Sequence, residues 1–439
     1  MTDRGTGPFA MRDAYPLHVP KTGIRFPNGR NDTILYGMNT LETAPGNQIE
    51  TKTEPRRISY DLSLAGQVID DFRKRPKELE EVLRHPELFL SLIRDRERRD
   101  EETDRRFDRM IFDALRNAPI IGEGTSSCFR RPEDPAVRDA LRNRFDTDIG
   151  LRELKRSRII DPRTGRTYAG IETNRDKPDP VGDARHGAVT QAVIANLSPG
   201  LMPQVFDYVE ERGARDTETG EPIPGLEDEV VGVMSVMEVL NGVSIGQIID
   251  RDGVFWQRRY SARKPNEFLD FLRSEEYREY IRYSIEEAVH RYPALLAAEW
   301  DGLPDRLDDT MGRFDNLSED IAAIFGDGHM GNVGIVFADQ DGRTLRQNPI
   351  GIMDPDLARL STRPGFGTLA KDYVNERKST SLGIDYLMPD RTPEGMSRKE
   401  REVLGMDSVA ILSIIFALIG ETVRDIIRKK SEDRVRPRS

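Results

Sequence analysis

Phe325-Gly-Asp-Gly-His-Met-Gly-Asn332, the apolar run Val333–Phe337, the polar turn Asp339-Gln-Asp-Gly-Arg343 and Pro349-Ile-Gly-Ile-Met-Asp-Pro-Asp356 form the stretch whose reading decides the fold. Two apolar runs around a polar turn predict a β-hairpin. Asp327 and Asn332 stand just before its first strand, and Asp354 and Asp356 just after its second. A hairpin brings its ends together, so these groups are expected to converge. Oxygen donors with no thiolate among them suit a hard cation such as Mg²⁺. A carboxylate that does not bind the metal is left to orient or deprotonate a hydroxyl.

The rest of the chain sets limits on that chemistry. Its 439 residues are enough for two or three domains at about 150 residues each. It is 37% hydrophobic and 33% charged, with a net charge of −11. The charge argues against nucleic acid or an anionic membrane surface as the main partner. A single cysteine, Cys128, excludes an internal disulfide and any cysteine-based zinc site, and makes a reducing, cytoplasmic setting the expectation. Met1-Thr-Asp-Arg-Gly5 lacks a basic-then-apolar leader pattern. The most apolar run, Val409–Ile419, is too short for a span of about 20 residues and predicts a buried core helix, so no membrane span is expected.

Along the chain, residues 1–55 are rich in Gly, Pro, Asn and Thr and read as an extended or disordered arm. Residues 56–115 read as a helical accessory segment: Leu62, Leu64, Val68, Ile69 and Phe72 suggest one helix, and Leu79 to Ile93 suggest more. The charge-dense run Arg94–Arg106 predicts a solvated helix. Ile120-Ile-Gly-Glu-Gly-Thr-Ser-Ser-Cys-Phe129 sets two glycines after an apolar strand, where backbone N–H groups can approach phosphates. Residues 131–156 are charged and read as helical. Two β-prone runs around Pro162–Gly165 predict a second hairpin over 159–171. Ala184–Leu197 has helical spacing, Leu201–Tyr208 and Glu229–Leu240 read as strands, and Ser244 is placed to cap a following helix. Residues 251–320 read as mostly helical, with Trp256, Trp300, Phe268, Phe271, Tyr277, Tyr280 and Tyr283 as core.

Several of these stretches, in this order, resemble the protein-kinase-like superfamily, which includes protein kinases and aminoglycoside/choline-kinase-like phosphotransferases. Gly326-Asp327-Gly328-His329-Met330-Gly331-Asn332 is similar to the phosphotransferase loop HGDxHxxN, with Phe325 in place of the first His. Ile352-Met353-Asp354 resembles the strand and Asp of the metal-binding DFG step. Gly122 and Gly124 resemble a glycine-rich loop, and Val236-Met-Glu-Val-Leu-Asn-Gly242 resembles a hinge. Ser381–Asp390 and Asp407–Gly420 resemble the end of an activation segment and a buried large-lobe helix.

The resemblance implies an α+β, bilobal protein-kinase-like fold with an N-terminal helical extension, its small lobe over 116–240 and its large lobe over 241–439, shortened at the C-terminus. It implies ATP and Mg²⁺ as cofactors and transfer of the γ-phosphoryl group to a protein Ser or Thr hydroxyl. A small-molecule kinase of the aminoglycoside phosphotransferase type, favoured by His329 and Gly326, and a nucleotide-binding pseudokinase are the alternatives. Transfer of AMP is also conceivable in this superfamily. Asp327 would be the catalytic base, with His329 in the same catalytic loop. Asn332, Asp354 and Asp356 would face the metal. Gly122, Gly124, Thr125, Ser126 and the hinge backbone from Glu238 to Leu240 would hold the nucleotide. Two positions depart from the pattern. Aligning 159–171 with the second and third kinase strands puts Ile171 where the ATP-binding lysine is expected, with Arg175 or Lys177 reached only by a register shift. Gln191, and no Glu, stands in the following helix, where His186 reads as a capping or surface residue.

Overall fold

Val205–Arg212 and Val230–Glu238 are the strands on which the sheet is built, and their side chains are buried on both faces. The computed structural model of the chain describes residues 55–97, 109–123, 127–173, 179–250, 254, 270–325, 331–339, 341–352, 358–365, 368 and 408–435. The strands are β1 (Arg56–Asp61), β2 (Ile120–Glu123), β3 (Ser127–Arg130), β4 (Ile149–Leu154), β5 (Arg156–Ile160), β6 (Thr167–Ile171), β7 (Val205–Arg212), β8 (Val230–Glu238), β9 (Gly242–Ser244), β10 (Ile321–Phe325), β11 (Val333–Phe337), β12 (Leu345–Ile352) and β13 (Ala358–Thr362). Six of them form one antiparallel sheet in the order β1-β7-β8-β4-β3-β2.

Alternation along β8 decides what covers each face. Val233 and Met237 point to one side, where helix α6 (Pro180–Leu197) packs with α1 (Ala65–Phe72), α2 (Pro76–Arg84) and α3 (Pro86–Glu97). Met234 and Val236 point to the other, against Ile111, Phe112 and Leu115 of α4 (Arg109–Arg116) and Leu141 and Phe145 of α5 (Pro135–Phe145).

Two neighbouring carboxylates on β7 follow the same alternation. Glu210 faces α6, where Arg185 Nε donates to it at 2.5 Å and Arg212 at 2.7 Å. Glu211 faces the other way and accepts from Arg57 of β1 at 3.1 Å, Arg116 of α4 at 2.7 Å and Arg156 of β5 at 2.7 Å. Both side chains are fully buried. Burial alone would raise their pKa values. For Glu210 the hydrogen bonds from Arg185 and Arg212 outweigh burial, and for Glu211 the nearby Arg156, Arg116 and Arg57 do, so both titrate below the ordinary 4.5.

Val239–Asn241 carries the chain from β8 into a second, three-stranded sheet of order β12-β11-β9. The expected hairpin is its main part: β11 and β12 pair antiparallel, with Val333 opposite Ile352. β9 leads into helix α7 (Ile245–Ile249), where Ser244 and Gln247 form the capping box, each side chain accepting from the other's backbone N–H. β10 and β13 form a separate antiparallel pair. Helices α8 (Glu275–Arg291), α9 (Leu303–Asp315) and α10 (Ser408–Val435) pack together, and Leu412, Ile415, Phe416 and Ile419 of the apolar run are buried.

Several expectations are corrected. Residues 131–156 hold helix α5, but also β4, a central strand. Both faces of β4 are covered, so no polar alternation marks it in the sequence. The accessory segment opens with β1, which joins the sheet by pairing with β7, a partner far along the chain. The 159–171 hairpin exists as β5–β6 but forms its own two-stranded sheet. The helix expected over 407–420 continues to Val435. Tyr283 is 62% exposed, outside the core. Residues 1–54, Arg98–Arg106, Trp256, Phe268 and Ser381–Asp390 lie outside the described residues.

Glu211→Ala would remove the buried carboxylate that three arginines share, leaving Arg156 with Glu153 at 3.3 Å and Arg57 with Asp113 at 3.6 Å. It is expected to lose about 3–5 kcal/mol in urea denaturation, and Glu211→Gln less. Because Glu210 and Glu211 have lowered folded pKa values, the stability they add is present above the unfolded value near 4.5 and is lost as pH falls through the folded values. Unfolding midpoints measured down through about pH 5 to 3 should fall less steeply in Glu211→Gln than in the wild type.

Candidate functional site

A cleft of about 340 Å³ opens where the sheet meets Val239. One wall is the β2–β3 hairpin, which contributes Ile121, Gly122, Ser127, Cys128 and Phe129. Phe129 can lie close over β4 because residue 150 is glycine: a Cβ there would fall 2.5 Å from the ring. Behind the hairpin, Arg152 of β4 reaches the cleft, its Nε 3.4 Å from the Ser127 hydroxyl. The far edge is Met237-Glu238-Val239-Leu240, with Gly242 and Gln247 beyond it.

The backbone of that edge is already partly used. The Glu238 N–H donates to the Gln204 carbonyl and the Val239 N–H to the Asp148 carbonyl, each at 2.8 Å. Among the described residues no backbone bond takes the Leu240 N–H, so it is the donor of the expected trio that is left for a ligand. The Glu238 carboxylate accepts from the Gln204 N–H at 3.2 Å and lies 3.5 Å from Arg346. Leu240 also reaches the second sheet, where its Cδ1 would be 3.6 Å from a Cβ on Gly351 of β12.

Of the predicted nucleotide residues, Gly122, Glu238 and Leu240 line this one cleft. Gly124, Thr125 and Ser126 lie outside the described residues, between β2 and β3, whose register sets Glu123 opposite Cys128. Of the predicted catalytic and metal residues only Asn332 is described. It is buried, one residue before β11. Asp327, His329, Asp354 and Asp356 lie outside the described residues. Their flanks are held in register: Phe325 pairs with Ala358 and Val333 with Ile352, and Gly334 pairs with Ser244 just beyond the cleft edge. Among the described residues no group of three or more His, Cys, Asp or Glu is arranged to hold a metal ion.

Ile171 is not the cleft residue that the sequence alignment made it. It is buried in the core on the separate β5–β6 sheet. The cation at the cleft is Arg152, which the sequence reading missed. Its signal was Ile149-Gly-Leu-Arg-Glu-Leu154, an apolar frame inside a charged stretch. Arg175 and Lys177 lie outside the described residues. Gln191 is buried, donates to the Pro203 carbonyl at 2.8 Å and shares a small recess with Arg152. His186 is neither a cap nor a surface residue: it is half-buried, its Nε2 is 3.0 Å from the Ala358 carbonyl, and it joins α6 to β13.

A larger cleft, about 650 Å³, opens near Val239 and Asn241 between α5 and Arg346, lined by Arg138, Arg142 and Asp148. It has neither the glycine hairpin nor the apolar wall of the smaller one. No helix among the described residues is long and apolar enough to cross a membrane. Compared with known proteins, the chain matches no family model and no curated protein sequence.

Cys128 lines the smaller cleft and is the chain's single cysteine, so its thiol reports on occupancy. ATP with Mg²⁺ is expected to slow its modification by a maleimide in proportion to the fraction bound. An unchanged rate across a full ATP titration would count against a nucleotide in this cleft.

Proposed function

We propose that this chain is an ATP- and Mg²⁺-dependent phosphotransferase of bilobal, protein-kinase-like architecture that transfers the γ-phosphoryl group to a protein Ser or Thr hydroxyl. The observation that carries the reading is the order of connections. A glycine hairpin, a strand bearing a cation, a buried helix and two further strands build one sheet beside a cleft. The chain then crosses at Val239–Asn241 into β9, and β9 pairs with the strand that follows Asn332. The Asp327 connection joins β10 to β11, the Asp354 connection joins β12 to β13, and β13 returns to pair with β10.

In this reading the apolar cleft takes the adenine ring, with the Leu240 N–H as donor. Arg152 takes the lysine's part at the phosphates, and as an arginine it stays charged at any working pH. The neutral Gln191 stands where a kinase has its glutamate. Asn332 and the carboxylates of Asp354 and Asp356 are oxygen donors of the type Mg²⁺ accepts. The bound ion would offset charge on the phosphates. Asp327 takes the proton of the acceptor hydroxyl as its oxygen attacks the γ-phosphorus and ADP leaves. Action in the cytoplasm belongs to the same proposal. Gln191 also favours a second reading, a nucleotide-binding module that does not transfer phosphate.

Incubation with Mg²⁺ and γ-labelled ATP tests this. Label on the chain or on a generic basic protein is expected, reduced about 10²–10⁴-fold by Asp327→Ala and lost with Asp354→Ala. Arg152→Ala should weaken ATP binding by about ten- to a hundredfold, the share of one charge-assisted hydrogen bond. ATP-dependent thermal stabilisation with no label on protein or on small alcohols and amines would favour the binding module. Neither label nor stabilisation would sink the nucleotide reading.

A further inference from the structure

The accessory helices reach β13, the strand that follows the Asp354 connection and pairs with β10. Glu80, on α2, turns its carboxylate onto β13. Ser361 Oγ donates to it at 3.1 Å, the Thr362 N–H at 2.6 Å and Thr362 Oγ1 at 2.5 Å. Ser361 and Thr362 are buried, and the Glu80 side chain is only 17% exposed. Burial alone would raise the pKa of Glu80, but the bonds from Thr362 and Ser361, with Arg84 alongside at 2.9 Å, hold it below its ordinary value. It is therefore charged when it meets these donors. The other end of β13 is held by His186 of α6, at the Ala358 carbonyl. The accessory helices α1 and α3 pack on that same α6. One N-terminal segment thus grips both the buried helix and the strand.

β13 is the partner of β10 over its full length, from Ile321↔Thr362 to Phe325↔Ala358. The Asp327 connection leaves from the Phe325 end of that pair, and the Asp354 connection arrives at its Ala358 end. We infer that Glu80 is a positioning residue of the phosphotransfer site, and that the segment 56–97 is a built-in clamp holding β13 against β10. The inference rests on the phosphotransferase reading for its consequence, while the clamp itself rests on the contacts to Ser361 and Thr362. The segment packs through apolar side chains such as Leu79, Val82 and Leu83, and Glu80 adds to that packing a polar hold on β13 at a single site.

The test compares the full chain with Glu80→Gln, using Glu87→Gln as a control. Glu87 is an exposed acid on α3, 3.8 Å from Arg185. In Glu80→Gln, amide hydrogen exchange over 358–362 and 321–325 should accelerate by about tenfold or more, the share of one charge-assisted hydrogen bond. Peptides covering 205–212 and 230–238 should keep their rates, as should every peptide of Glu87→Gln. In the labelling reaction, Glu80→Gln should raise the Mg²⁺ concentration for half-maximal transfer severalfold and leave the KM for ATP unchanged. Unchanged exchange in β13, acceleration spread evenly over all peptides, or an unmoved Mg²⁺ midpoint would each overturn the inference. Local acceleration in a chain whose wild type shows no nucleotide response would keep the clamp and overturn the phosphotransferase reading.

Discussion

Glu210 and Glu211 are neighbours on one strand, and the alternation of β structure sends them to opposite faces of the sheet. Each must find cations inside the protein, because an unpaired carboxylate there costs several kcal/mol. Glu210 finds Arg185 on α6, and Glu211 finds Arg57, Arg116 and Arg156 from β1, α4 and β5. Four elements beyond the strand itself, α6, β1, α4 and β5, are therefore tied to its register. A slip of β7 by one residue would exchange the two carboxylates between faces and leave arginines on both sides mispaired. Such pairs add little net stability over apolar packing. What they do is penalise every other arrangement.

That constraint places the cleft. With β7 and β8 fixed, β4 has one available edge, and the β2–β3 hairpin adds to it. Arg152 then falls behind the hairpin, and Glu238 to Leu240 form the far rim. The link from Val239 to Asn241 is short, so the second sheet starts at the cleft's edge. Its β9–β11 pairing sets Gly334 opposite Ser244, and Asn332 stands one residue before β11. The accessory helices bear on this geometry twice, through α6 and through Glu80.

How far this could be read from the chain differs from element to element. The β11–β12 hairpin was legible because a polar turn with Gly342 in the left-handed region separates two apolar runs. The capping box at Ser244 was legible because its two partners are three residues apart. β4 was not, since its apolar frame is short, covered on both faces and set among arginines. Arg152 was missed for a related reason: the β5–β6 hairpin carries a clearer local signal than β4, although it lies off the main sheet. Glu80 gave no signal at all, because its partners are about 280 positions further along the chain.

Local chemistry along the chain was therefore enough for the α+β class of the fold and for most of the described helices and hairpins. Turn residues, capping side chains and apolar periodicity act over a few positions, and they leave their mark where they act. Sheet order, the partner of β1, the cation at the cleft and the grip of Glu80 on β13 came only with the tertiary structure. Each depends on two segments far apart in sequence, both of which read as ordinary when taken singly. The decision between possible partners is made by burial and charge pairing across the folded core.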